Sequence, residues 1–227
     1  MTKTFVICGA TGKQGKAAVT ALLKPGATPA KVRALVRNPD SAKAKEVAAQ
    51  GAELVKGDLL DKASLVKAFA GADAVFIVTA LEPFNAAGVA NEIVQGQTAV
   101  AAAKEAKVPF VVLASVANSH LKTKIPHFDS KVIFEDDLKA SGLAHCILKP
   151  ACFMDNFLDE SMEFKQGAVQ FLIDPDGVPL PLVAVDDIGE FAALAMHKPQ
   201  GTRRAWHSCC SLFLLFFSHA LLLPTLT

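Results

Sequence analysis

The stretch VICGATGKQG, Val6 to Gly15, joins an apolar run to an amphipathic one and carries three glycines between them. Gly9, Gly12 and Gly15 come straight after the strand-like TFVIC (4–8) and open a helix-like segment that runs from Gln14 to Leu23. Their G-x-x-G-x-x-G spacing is a variant of the dinucleotide fingerprint G-x-G-x-x-G. In such a turn Gly9 permits the tight bend, Gly12 lets a pyrophosphate reach the backbone, and Gly15 lets the helix lie close on the sheet. The helix N-terminus then offers free N–H groups and a partial positive charge to phosphate oxygens. Three glycines could also make a plain strand–helix turn. Their place at the head of a repeated strand–helix pattern favours a dinucleotide.

Outward from this turn, short apolar runs alternate with longer amphipathic ones. KVRALV (31–36), AELVKG (52–57), AVFIV (74–78), PFVVLAS (109–115) and AHCILK (144–149) join TFVIC as strands, several of them apolar on both faces. Helices are expected from Gln14 to Leu23, Asp40 to Gln50, Asp61 to Phe69, Val89 to Ala106 and Pro126 to Ala140. Pro126 suits a first helical turn and Gly142 suits the left-handed position after the last one. The alternation predicts an α/β fold, a doubly wound parallel sheet of order 3-2-1-4-5-6, with a ligand crevice at the carboxyl ends of its strands. Residues 1–150 make the dinucleotide-binding domain in this division. Beyond Ala151 the rhythm changes. Residues 151–205 read as a small substrate-side segment packed on the same domain, with two short strands around DPDG (174–177) and a helix begun by VDDIG (185–189).

The tip of the second strand chooses the dinucleotide. An NAD site wants an Asp or Glu about 20 residues on from the glycines, to bind the ribose 2′-hydroxyl. Here ALVRNPD places Arg37 and Asn38 there, with Arg33 nearby. A guanidinium grips a 2′-phosphate with two hydrogen bonds, where a carboxylate would repel it. NADP(H) is therefore the expected cofactor, and Lys13 in the glycine loop is a second cation for the same phosphate. Asp58 and Leu59, in GDLLD after the third strand, suit the adenine amino group and ring; a helix cap near Asp61 is the alternative use of that cluster.

Bulk properties exclude several other classes. The 227-residue chain carries 23 Lys and Arg against 22 Asp and Glu, a net charge of +1, so nothing advertises a nucleic-acid partner. No leader is expected from MTKTFVICGA, which enters a strand directly. The five cysteines (Cys8, Cys146, Cys152, Cys209, Cys210) lack metal-ligand spacing, so no metal site is expected, and Cys8 and Cys146 lie in strand-like runs, as buried thiols of a reducing compartment do. The expected location is the cytoplasm, as a monomer or homodimer. Residues 206–227 form an apolar tail without Asp, Glu, Lys or Arg. A bilayer span takes roughly 20 apolar residues, whereas the run from Leu212 to Leu223 is interrupted by Ser218 and His219 and stopped by Pro224. The tail is expected to be no designed part of the fold rather than an anchor.

Taken together, GATGKQG (9–15), ALVRNPD (34–40), GDLLD (57–61), SVANSH (115–120), PHFDSK (126–131), LKPACFMDNF (148–157) and VDDIGEFAA (185–193) resemble the NmrA-like family, an atypical branch of the short-chain dehydrogenase/reductases. The likeness covers roughly residues 3 to 196. It implies a Rossmann domain binding NADP(H), with Gly9, Thr11, Gly12, Gln14 and Gly15 at the pyrophosphate and Arg37 at the 2′-phosphate. It further implies that Thr79–Ala80, Ser115–Val116 and Pro150–Phe153 line the nicotinamide side, with Lys131 near the nicotinamide ribose. Some members reduce quinones or other carbonyl-type substrates; others act as NADP(H) sensors or regulators. Two departures stand out. Lys149 replaces a usual arginine, and the elements that normally follow the DIG helix give way to the apolar tail, so the substrate-side lobe is expected to be incomplete.

The chemistry expected of such a site turns on PHFDSK. Carbonyl reduction needs a hydride and a proton from a positioned donor. Many related enzymes place a tyrosine four residues before a lysine, but this chain has no tyrosine and puts His127 there. Residues four apart share a helix face, so His127 and Lys131 can point into one crevice. They are the catalytic candidates, and quinone reduction survives the loss of tyrosine best because the hydroquinone anion is stabilised by its own ring. If His127 only caps a helix and Lys131 only holds cofactor, the chain is instead a redox sensor acting through a protein partner. Asp186, Asp187 and Glu190 fit an N-capped helix better than a carboxylate pair; His145 fits a structural place in a strand, and no G-x-S-x-G elbow surrounds Ser115.

Overall fold

The computed structural model describes residues 2–121, 123–158, 164–165, 168–169 and 181–199. Strands β1 (Lys3–Ile7), β2 (Ala30–Val36), β3 (Glu53–Lys56), β4 (Ala74–Ile77), β5 (Val111–Ala114) and β6 (His145–Leu148) form one sheet in the order β3-β2-β1-β4-β5-β6, as the sequence predicts. Every neighbouring pair is parallel. The switch point lies between β1, which pairs Val6 with Arg33 of β2, and β4, where Val75 faces Val6 from the other side.

Alternation along β1 explains the layering. Phe5 and Ile7 pack with Ala18, Val19 and Leu22 of α1 (Lys13–Leu23) and with Ala192 and Met196 of α6 (Val185–His197). Val6 and Cys8 point to the opposite face, onto Leu65 and Phe69 of α3 (Lys62–Phe69), Ala99 and Val100 of α4 (Ala86–Glu105), and Phe134 and Leu138 of α5 (Pro126–Ala140). Full burial of each large apolar side chain stabilises by roughly 1.5–3 kcal/mol, which makes these two faces the main support of the fold. Burial also pushes the Cys8 thiol far up, so it serves as an inert core residue.

Helix starts follow local capping. Ser41 accepts from Ala44 N at 3.2 Å and begins α2 (Ala42–Ala49), and Asp61 accepts from Ala63 N at 3.0 Å ahead of α3. α4 begins three residues before the expected Val89, because the Asn85 side chain accepts from Gly88 N at 3.1 Å and nucleates a turn there. α5 opens on Pro126 as expected, and Gly142 follows it with φ 78°.

Past β6 the chain forms β7 (Cys152–Phe153), β8 (Phe164–Lys165), β9 (Ala168–Val169) and β10 (Leu182–Val183). β7 and β10 pair in parallel, and β8 and β9 make a short antiparallel pair. The strands expected around DPDG (174–177) and the apolar tail (206–227) lie outside the described residues. The VDDIG helix starts at Val185 and takes its side-chain cap from a distant residue. Its N-cap residue is Ala184, and Asp155, from the turn after β7, accepts from Val185 N at 2.9 Å. Asp186 and Asp187 occupy its first turn, where carboxylates favour the dipole. Among the described residues no helix is long and apolar enough to cross a membrane.

Candidate functional site

The glycine turn is built for a close ligand. Gly9 takes φ +63°, which L side chains rarely adopt, and a Cβ there would lie 2.9 Å from Val78 O. Gly12 N donates to Gly9 O at 2.9 Å and closes the turn. A Cβ on Gly15 would stand 2.2 Å from Gly9 O, so only glycine lets α1 start against the strand end. Gly12 differs, since its Cβ would meet only Gly9 O, at 3.4 Å, and its outer side is open. No acidic residue occupies the first turn of α1, and the buried Gln14 Oε1 has no hydrogen-bond partner among the described residues. An open, cationic helix start with a waiting polar atom fits a diphosphate. Thr11 is half-buried beside it, and Lys13 Nζ reaches Asn156 Oδ1 at 3.2 Å, tying the loop to the segment after β7.

At the tip of β2, Arg37 is about three-quarters exposed and stands 3.9 Å from Glu82 of the loop after β4. Arg33 is not its companion. Its Nη1 donates to Ala70 O at 2.8 Å, where it closes the C-terminal end of α3, and its Nε lies 3.8 Å from Glu53. Asp58 Oδ1 accepts from Leu60 N at 2.9 Å and shapes the turn after β3, with Leu59 half-buried next to it. Helix capping there belongs to Asp61, so the Asp58 side chain is not the cap of α3.

The remaining predicted residues meet at the carboxyl ends of β4, β5 and β6. Thr79 and Ala80 leave β4, Ser115 leaves β5, and Pro150 leaves β6; Ser115 N bonds Leu148 O at 2.7 Å and Ala117 N bonds Pro150 O at 2.9 Å. Phe153 follows in β7, half-buried. Two buried glutamates that the sequence reading passed over organise these ends. Glu135 of α5 accepts from Ser115 Oγ, from Ser119 Oγ at 2.9 Å and from Lys149 Nζ at 2.8 Å. Ser115 is therefore spent inside the protein, and Lys149 serves Glu135.

Glu92 of α4 holds the other group. Its Oε1 accepts from Lys131 Nζ at 2.5 Å and from Thr79 Oγ1 at 3.0 Å, while Oε2 accepts from Ser130 Oγ at 3.0 Å. Lys131 also donates to Thr79 Oγ1 at 3.0 Å, so two of its three N–H groups are engaged. His127 lies in the same cluster. Its Nδ1 is buried without a hydrogen bond, 3.9 Å from Glu92 Oε2, and its ring sits between Phe84 and Phe128 at 6.0 and 5.7 Å. Burial would raise the Glu92 carboxyl, but His127, Lys131 and Thr79 outweigh it and hold it at about 2. At 3.9 Å the imidazole acts across a gap, whereas Lys131 acts by direct contact. His145 is structural, its Nδ1 2.8 Å from Leu143 O.

The sequence did carry a trace of Glu92. It interrupts a stripe of small buried residues on α4, with Gly88 and Gly96 one turn either side and Ala99 and Ala103 beyond. An acid on such a stripe must find a buried cation.

Among known proteins, an NmrA-like family domain-containing oxidoreductase, notA, of an Aspergillus species is 30% identical over 230 residues, covering 89% of this chain and 66% of that protein. The Escherichia coli NADPH-dependent quinone oxidoreductase QOR2, solved with NADPH, superposes with a TM-score of 0.58 at 29% identity, over 68% of this chain and 51% of that one. NmrA, a negative transcriptional regulator, shares the fold with a TM-score of 0.71 at 23% identity, over 91% and 65%. The chain spans about half to two thirds of the length of the curated relatives it matches. With the NmrA-like family model matching residues 1–207, this chain belongs to the NmrA-like family.

Proposed function

We propose that this chain binds NADP(H) at the glycine turn and is an NADPH-dependent reductase of a quinone-like or small carbonyl acceptor. In this reading Gly9, Thr11, Gly12, Lys13, Gln14 and Gly15 surround the pyrophosphate, and Arg37 takes the 2′-phosphate. Asp58 and Leu59 flank the adenine, while Thr79, Ala80, Ser115, Pro150 and Phe153 border the nicotinamide with Lys131 at its ribose. When bound, NADPH supplies a hydride; the chain supplies orientation, charge and a proton. The observation that carries the proposal is the juxtaposition of His127 and Lys131 around one buried carboxylate, at the strand ends that the glycine turn also faces. The exposed Phe84, 83% accessible and next to His127, favours a flat conjugated acceptor. The likeness to a quinone oxidoreductase solved with NADPH supports the same reading.

The engagement of Lys131 by Glu92 and Thr79 favours a second reading, an NADP(H) sensor that binds without turnover and signals to a protein partner. One experiment separates them. NADPH binding is measured by calorimetry and NADPH consumption is followed with a panel of benzoquinones, naphthoquinones and small aldehydes, for the wild type and Lys131→Ala. Turnover that Lys131→Ala abolishes while binding persists supports the reductase. Tight binding with no consumption on any acceptor supports the sensor, and no binding of either nicotinamide dinucleotide refutes both.

A further inference from the structure

We propose that Glu92 is the positioning residue of this site, fixing Lys131 through one carboxylate oxygen and His127 through the other, so that His127 presents Nε2–H to the acceptor. The proton-donor part rests on the reductase reading; the positioning part rests on geometry alone.

Glu92 is 1% exposed and reaches from α4 to the end of β4 and to three residues of α5's first turns. Its Oε1 and Thr79 Oγ1 occupy two ammonium donors of Lys131, so the direction of the third N–H is set by α4 rather than by the flexible lysine stem. Oε2 has Ser130 at 3.0 Å and faces the one buried polar atom of α5 without a hydrogen bond among the described residues, His127 Nδ1, at 3.9 Å. A buried nitrogen left unbonded costs about 1–3 kcal/mol. A shift of about 1 Å would bring it into hydrogen-bond range of the carboxylate.

Among the described residues no other group hydrogen-bonds that nitrogen. Phe84 from the loop after β4 and Phe128 from α5 contribute rings. Asp129 accepts from Thr123 and Glu82 pairs with Arg37, so among the described residues the charged groups recorded against the His127 cluster are Glu92 and the Lys131 it already holds. A carboxylate facing Nδ1 keeps a hydrogen there and fixes the ring, so that in the doubly protonated imidazolium the other N–H, on Nε2, points outward; buried acids orient catalytic histidines in this way. In the reductase reading, a hydride from bound NADPH would add to the acceptor carbon, its C–H bond to the nicotinamide breaking to leave NADP+, while the carbonyl π pair moves to oxygen. That oxygen then takes the Nε2 proton from the imidazolium, and solvent restores it.

Nitrogen-15 NMR of the imidazoles, with His127→Asn to assign the signal, tests the positioning directly. The expected result is a protonated, hydrogen-bonded His127 Nδ1 in the wild type that loses its downfield proton signal in Glu92→Gln. An unprotonated Nδ1 in the wild type, or a signal unchanged by Glu92→Gln, overturns the inference. The wild-type spectrum decides even if the variant folds poorly. For kinetics, Glu92→Gln should lower kcat with 1,4-naphthoquinone about a hundredfold, in the range of positioned acid catalysis. KM for NADPH also reports on Lys131 at the ribose, so the readout is kcat, and adding His127→Asn should cost little further in kcat, as expected of coupled residues. Fully additive losses would overturn the inference. If the wild type reduces no acceptor, the reductase reading fails, while the NMR result still decides the role of Glu92.

Discussion

Arg37 Nη2 lies 3.9 Å from Glu82 Oε2, and both side chains are about three-quarters exposed. A pair held this loosely in water is weak. A 2′-phosphate would therefore displace Glu82 readily, and Glu82 would act only as a mild competitor. Arg37→Ala is expected to weaken NADPH by about 10- to 100-fold and NADH by far less, the loss of charge-assisted hydrogen bonds to one phosphate. Glu82→Gln should tighten NADPH by about twofold to fivefold at low salt and have no effect at high salt. Calorimetric titration with both dinucleotides checks this; equal losses on NADPH and NADH would rule out the 2′-phosphate role.

Gly12 and Gly15 separate ligand fit from folding. A Gly15 Cβ would press on Gly9 O at 2.2 Å, a backbone atom that cannot yield cheaply. Gly15→Ala should destabilise by about 1–3 kcal/mol, as overpacking does, and lose NADPH binding. Gly12→Ala meets only an ordinary contact within the protein. It should melt within a degree or two of wild type, yet bind NADPH at least about tenfold more weakly, because its methyl occupies the phosphate side. Thermal melts beside binding titrations distinguish the two, and a Gly12→Ala protein with wild-type affinity would exclude pyrophosphate contact there.

Acid should unfold the protein partly through its buried glutamates. Burial would raise Glu92, but its partners hold it at about 2 against an ordinary 4.5. Burial would raise Glu135 as well, and Lys149, Ser115 and Ser119 bring it below the ordinary value. Unfolded glutamates take up protons first as pH falls, so this stabilisation is whole above about 4.5 and is lost progressively towards about 2. The urea midpoint of the wild type should fall steeply across that window. In Glu92→Gln/Lys131→Met, which removes both charges, the slope should be shallower. An identical slope would mean that Glu92 is not ionised in the folded protein.

Asp155 caps α6 from outside the helix, 2.9 Å from Val185 N. Asp155→Ala should cost about 1 kcal/mol, the usual value of a lost cap, and Asp155→Asn should recover most of it. Thermal melts of the three proteins provide the check. Because Lys13 bonds the neighbouring Asn156, Asn156→Ala should leave stability nearly unchanged while altering NADPH affinity.

Much of the scaffold was legible because its determinants are local. The alternation of Phe5 and Ile7 against Val6 and Cys8 reveals a strand buried on both faces, and Pro126 and Gly142 bracket α5 in the chain itself. Arg33 and Arg37 were harder to tell apart. Both sit in or beside one strand, and only the packing of α3 over β2 turns Arg33 into a cap for carbonyl groups and leaves Arg37 exposed beside Glu82. The Asp155 contact with the start of α6 could not be read locally, since Asp155 is 30 residues from the amide it serves.

By itself the chain's order of residues determined the strand–helix alternation, the glycine turn and the cation at the second strand's tip. Each depends on spacing within a few residues, where backbone sterics and periodicity act. Only the tertiary structure decided that Glu92 meets Lys131 across 39 residues, that Ser115 and Lys149 are absorbed by Glu135, and that His127 Nδ1 waits beside a buried carboxylate. Those pairings arise because α4 and α5 cross over the same strand ends. Once water is excluded there, each buried charge has to find its partner wherever the fold has placed it.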